Sequence, residues 1–155
     1  MQIPSVNSSL SDTELAAWRG LLRVYAALVH DLDAELRAQD GLSLHEYEVL
    51  LTLAQAPDRR MRMSDLAAAV LLSQSGLTRL VDRLVQGGLV ERTRCEADRR
   101  GLNAELTERG RARFERSRPA HLDGVRSRFL DRFDEAELGV LASYWERVLP
   151  GATSE

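Results

Sequence analysis

The chain has 155 residues, of which 44% are hydrophobic, with 21 basic and 24 acidic residues and a net charge of −3. That is enough for one modest domain with a buried core, and no apolar run approaches the roughly 18 residues a membrane span needs. The N-terminal MQIPSVNSSLSD has neither a basic start nor an apolar stretch, so a soluble, cytoplasmic protein without a secretory signal is expected.

Helix one is expected from Ser11, which with Glu14 forms a capping box, while Leu10 and Leu15 can form a hydrophobic staple. Its apolar positions are Leu15, Trp18, Leu22, Tyr25, Val29, Leu32 and Leu36, alternately three and four apart. A seam of that length exceeds what so small a domain can cover by itself, which predicts packing against a second subunit. The pair Asp40-Gly41 ends it. A second helix starts at Ser43 with Glu46 at the box position, runs through Leu50, Leu51 and Leu53, and closes at Pro57. The loop 58–62 (DRRMR) is a candidate for a first short strand.

From Ser64 the pattern tightens. A short helix presents Leu66, Ala67, Val70 and Leu71, and Ser73 then stands as an N-cap for the next. That next helix is apolar at Leu77, Leu80, Val81, Leu84 and Val85, one buried face at helical spacing. Its other face carries Gln74, Ser75, Thr78, Arg79, Asp82 and Arg83, and Gly87-Gly88 stops it. Two helices joined by a tight turn, the second with a polar row near its start, form a helix-turn-helix. Strand-like patterns follow at 89–94 (LVERTR) and 103–106 (NAEL), with the polar 95–102 expected as the loop between them. A hairpin placed directly after a recognition helix is a wing.

The last third is helical. After Thr107 a long helix carries Phe114, Leu122, Val125, Phe129 and Leu130, and Pro119 is expected to kink or break it near Arg118. The final helix has a third capping box, Asp134 with Glu137, between staple residues Phe133 and Leu138. Its stripe is Leu138, Leu141, Trp145 and Val148, and Pro150-Gly151 ends it.

The acidic total hides a segregation of charge. Residues 56–113 hold 12 Arg against eight acids, a net +4, which leaves −7 for the rest. The basic part is the part that would face phosphate.

Asp98-Arg99-Arg100, followed by Leu106-Thr107 and Gly110, matches DxRxxxxxLTxxG, and the chain thereby resembles the MarR family of bacterial transcriptional regulators. The preceding SQSGLTRLVDRLVQGGLVER resembles that family's recognition helix and first wing strand, and the flanking helices fall where the family has them. The fold this implies is mainly α with a small β-wing. It is a single domain over 1–155: a winged helix-turn-helix at 43–110, flanked by N- and C-terminal dimerisation helices at 11–38 and 112–149. The function implied is a ligand-responsive repressor that binds a palindromic operator in double-stranded DNA as a homodimer.

Ser73, Gln74, Ser75, Thr78 and Arg79 are the candidates for reading base edges. Arg83, one turn further, is read as a phosphate contact or a salt bridge to a nearby acid. The resemblance makes Arg100 the favoured contact to groove or phosphate, with Arg99 a second candidate and Asp98 shaping the wing. It also suggests a pocket for a small aromatic or phenolic ligand where the dimer helices meet the winged helix, with Trp18 and His121 as candidate lining.

Other readings are weaker. His30, His45 and His121 sit on separate elements without metal-ligand spacing, so no metal or cofactor is expected. Cys95, the only cysteine, has acidic neighbours that do not favour a thiolate, which argues against redox sensing. No nucleophile or phosphate-loop motif points to an enzyme. The alternative in another class is a winged-helix protein–protein module without DNA binding, which the basic wing disfavours.

Overall fold

The computed structural model describes residues 9–70, 72–95 and 98–153, with only the backbone described at 95 and 98–100. Its elements in order are α1 (Asp12–Asp40), α2 (Leu44–Gln55), β1 (Arg60–Arg62), α3 (Met63–Ala69), α4 (Gln74–Gln86), β2 (Val90–Cys95), β3 (Asp98–Leu106), α5 (Glu108–Arg128) and α6 (Glu135–Val148). Single 3-10 turns at Pro57–Arg59 and Leu130–Arg132 complete the chain. No described helix is long and apolar enough to cross a membrane.

The capping boxes explain where three helices begin. Ser11, Ser43 and Asp134 each accept from the amide three residues on, and Glu14, Glu46 and Glu137 each accept from the cap amide in return. At the other end of α1, Gly41 adopts φ 67°, a left-handed conformation that glycine takes without a steric cost. The end of α4 is a Schellman motif. The Leu89 amide donates to Leu84 O at 2.9 Å and the Gly88 amide to Val85 O at 2.9 Å, with Gly88 at φ 69°.

One core serves the whole domain. Leu36 from α1, Tyr47, Leu50 and Leu53 from α2, Leu66 from α3, and Leu77, Leu80, Val81 and Leu84 from α4 are all buried in it. Val90, Ala104 and Leu106 seal it from the sheet and Phe114 from α5. The amphipathic face of α4 therefore faces inward at Leu77, Leu80, Val81 and Leu84, but Val85, expected on the same face, is exposed at the end of the stripe; Leu71, assigned to the apolar face of α3, lies outside the described residues.

The sheet has the order β1-β3-β2, all antiparallel. The hairpin is longer than its sequence suggests. Strand β3 begins at Asp98 rather than Asn103, and Cys95 pairs with Asp98 after a register shift at Arg94/Cys95. Apolar alternation marks a strand only where one face is buried. Here backbone pairing continues through the charged residues of 98–100, and the described neighbours Arg94 and Leu102 are exposed, so no periodic signal marks the strand.

Pro119 does not break α5, which runs unbroken from Glu108 to Arg128. An interior proline costs roughly 3 kcal/mol, and α5 nonetheless keeps its course along α1. The Arg116 guanidinium donates to Asp40 at 3.1 Å, and Arg128 donates to Asp31 at 2.9 Å and to Glu35. Between those ion pairs the helices approach closely at Gly124, where a Cβ would lie 3.1 Å from Leu32 Cδ2.

The start of α5 is fixed by the Thr107–Gly110 pair. The Thr107 hydroxyl donates to Gly88 O at 2.8 Å and accepts from the Gly110 amide at 2.9 Å, while the Thr107 amide donates to Leu89 O at 3.1 Å. A Cβ on Gly110 would come within 2.0 Å of Leu89 O, so only glycine fits there. Gly110→Ala is therefore expected to destabilise the fold by about 3 kcal/mol, and Thr107→Ala by about 1–2 kcal/mol through loss of the cap. Denaturant unfolding with both variants checks this; an unchanged midpoint for Gly110→Ala means that α5 does not sit against Leu89 in solution.

Candidate nucleic-acid interface

Helix α4 splits cleanly between its two faces. Leu77, Leu80, Val81 and Leu84 are buried, while Ser73, Gln74, Ser75, Thr78, Arg79 and Arg83 are exposed. The Ser73 hydroxyl accepts from the Gly76 amide at 3.1 Å and lies 3.3 Å from the Ser75 hydroxyl, so the first turn is capped yet open to solvent. Thr78 Oγ1 donates to Gln74 O at 2.8 Å, leaving its methyl and oxygen lone pairs on the surface. No ion pair or side-chain hydrogen bond among the described residues engages Arg79. A capped, exposed helix start with an exposed guanidinium at Arg79 suits an anionic, hydrogen-bonding partner.

The arginines around this row differ in how far they are committed. Arg83 donates to Glu46 Oε1 at 3.2 Å, and Glu46 Oε2 accepts from the Ser43 amide at 2.8 Å. Of the two alternatives left open by the sequence, the salt bridge is the one formed within the chain. Arg92, absent from the sequence candidates, reaches from β2 to Asp82 Oδ1 at 2.6 Å and to Thr78 O at 3.3 Å. Nothing in the pattern pointed to it, because a separation of ten residues from Asp82 to Arg92 matches no helical or strand spacing. Arg59 donates to Glu108 at 2.6 Å, tying the loop before β1 to the start of α5.

The wing candidates Asp98, Arg99 and Arg100 lie on β3 by their backbone, and their side chains lie outside the described residues. The side chain of Cys95 does too. Arg60 on β1 and Arg94 on β2 are exposed.

Trp18 and His121 do not share a cleft. Trp18 lines an apolar groove of about 660 Å³ with Leu21, Tyr25, Phe129, Leu141 and Trp145. His121 instead packs on the Tyr47 ring, centroids 4.3 Å apart, where α5 meets α2. His121 lies near Glu35, whose charge acts on it; Trp18 is 17 residues earlier on α1, a separation of about 25 Å along a helix rising 1.5 Å per residue. Sequence could not separate them, since both residues fall on helices that pack together. Of the other histidines, His30 is exposed and His45 meets Glu48 at 3.0 Å. Among the described residues no group of three or more His, Cys, Asp or Glu could hold a metal.

The profile of the MarR family matches residues 40–101. A transcriptional repressor of Bacillus subtilis, YetL, is 30% identical over 111 residues, which cover 70% of this chain but only 66% of the repressor, just under two thirds. AbsC, a MarR family transcriptional regulator from Streptomyces coelicolor, aligns in structure with a TM-score of 0.86 at 39% identity, covering 92% of this chain and 95% of AbsC. A second MarR family regulator from that organism, solved in complex with DNA, aligns with a TM-score of 0.89 at 32% identity over 96% of this chain and 93% of its own.

His121 gives this region a pH dependence. Burial pushes its imidazole below the ordinary value of about 6.5, against the smaller opposing pull of Glu48 and Glu35, and its Nδ1 is buried without a partner. The unfolded chain therefore takes up the proton more readily than the folded one. Stability should hold above about pH 6.5 and fall as pH drops through the folded value. His121→Phe should flatten that loss between neutral and mildly acidic buffer; an identical pH profile for wild type and variant in urea melts means the imidazole is not desolvated.

Proposed function

The chain belongs to the MarR family of transcriptional regulators, and on that premise we propose that it is a DNA-binding repressor acting as a homodimer on a palindromic operator. The observation that carries this is the exposed row from Ser73 to Arg79 at the capped start of α4, set beside a paired wing in a segment of net +4. In this reading Ser73, Gln74, Ser75, Thr78 and Arg79 enter the major groove. Arg99 and Arg100 lie on phosphate or in the adjacent minor groove, with Asp98 shaping the turn. Arg83 is reassigned from phosphate contact to a strut between α4 and α2.

The dimer rests on what the chain leaves uncovered. Trp18, Leu22, Tyr25, Val140, Tyr144, Trp145 and Val148 are all more than a third exposed, and α6 buries none of its residues within the chain. A contiguous apolar surface of this kind marks an association site. Residues 11–38 and 112–149 are the proposed dimerisation segments, and 43–110 the DNA-binding unit, within one domain. Regulation by a small aromatic or phenolic ligand belongs to the same proposal, with the groove at Trp18 and the junction at His121 as two separate candidate places. The protein is read as cytoplasmic, without catalytic activity.

Selection from a randomised duplex library is the direct test. An inverted repeat should emerge with half-sites about one helical turn, roughly 34 Å, apart; enrichment of nothing, or of a single unrepeated site, sinks the operator model. Binding to the selected duplex should weaken with salt at a log–log slope of about 0.9 per neutralised phosphate, on the order of −5 for a dimer. Arg79→Ala should lose specific affinity by about 1–3 kcal/mol. For the dimer, Trp18→Asp with Trp145→Asp should yield monomer in sedimentation; a dimer that survives both changes places the interface elsewhere.

A further inference from the structure

We propose that Arg92 is a positioning residue for DNA recognition, holding the wing at a fixed distance from α4 without itself binding phosphate. This rests on the DNA-binding reading above and names a residue that reading does not use. Arg92 stands on β2 opposite Ala104, which is fully buried, so its backbone is anchored at the base of the wing. Its Nη1 donates to Asp82 Oδ1 at 2.6 Å and its Nη2 to Thr78 O at 3.3 Å. Asp82 and Thr78 are one helical turn apart, so the planar guanidinium spans a full turn of α4 with two donors in fixed relation.

Three further observations support a clamp. The Arg92 residue is exposed, with its side chain 29% accessible, yet both terminal nitrogens are engaged on α4. Among the described residues no other side-chain hydrogen bond joins β2 or β3 to α4. The clamp also sits directly behind the proposed reading face, because Thr78 supplies both the carbonyl that Arg92 grips and a side chain on that face. A duplex must meet the start of α4 and the wing together, and their separation decides whether both fit at once. Asp82 is explained by the same pair. A lone carboxylate on this helix would repel phosphate, whereas here its charge is met by Arg92.

The test uses the full-length protein and a duplex that the wild type itself selects from a randomised library, with sheared DNA of mixed sequence as the second probe. Asp82→Asn and Arg92→Ala should each weaken binding to the selected duplex about tenfold, and the double variant should be no weaker than Arg92→Ala, as expected for two residues acting as one unit. Binding to mixed DNA should stay within about twofold, and the salt slope should not change, since no phosphate contact is lost. Should Arg92→Ala fail to fold, Arg92→Lys keeps the charge but cannot hold both oxygens, and it should show the same selective loss. The proposal is overturned if Asp82→Asn binds as tightly as wild type, or if Arg92→Ala lowers the slope by about 0.9 per protomer, which would make Arg92 a phosphate ligand. Equal loss on both probes also overturns it, since Arg92 would then only stabilise the fold. If the wild type enriches no duplex, the DNA-binding reading falls and this inference with it.

Discussion

The Thr107 hydroxyl sits where three parts of the molecule meet. It donates to the turn that ends α4 and accepts from the first turn of α5, while the neighbouring backbone pairs with Leu89 at the root of β2. Each of these hydrogen bonds contributes only about 1 kcal/mol, but the geometry they impose leaves no room for a side chain at Gly110. The recognition helix, the wing and the long helix leading away from both are thereby referred to one point. A shift of α5 against α1 has to be taken up at that point or carried through to α4.

Charge in the basic segment is divided between structure and surface. Arg59, Arg83 and Arg92 each have an acidic partner within the fold, at 2.6, 3.2 and 2.6 Å. Pairs this exposed add little stability, so their worth lies in orientation. Arg59 fixes the loop before β1, Arg83 the back of α4, and Arg92 its side toward the wing. Arg79 is left as an uncommitted guanidinium on the reading face among the described residues. Net charge over a segment therefore overstates what is free to meet phosphate, and the ion-pair geometry gives the better measure.

The helices were legible in sequence because their signals are local. Ser11 with Glu14, Ser43 with Glu46 and Asp134 with Glu137 mark starts within four residues, and Ser73 and Gly88 bracket α4. What escaped depends on partners far along the chain. Pro119 reads as a break until α1 is set beside it, and residues 98–102 read as a loop until their ladder with β2 is drawn. Trp18 and His121 were paired through the family resemblance, which names a junction of elements without placing residues along the axis of α1. For the candidate site, the exposed row on α4 was readable from the amphipathic pattern. The clamp at Arg92 was not, since it needs the register between a strand and a helix.

Helix α6 and the first half of α1 obtain almost nothing from the rest of their own chain. No residue of α6 is buried, and Leu36 is the only fully buried residue of α1. A 14-residue helix on its own is marginal in water even with a good cap. Whether this end of the molecule is helical is thus settled by whatever surface covers it, and so by how much of that surface is present. In the proposed homodimer that surface comes from the partner copy, so order at these ends would follow assembly while the winged helix keeps its own core.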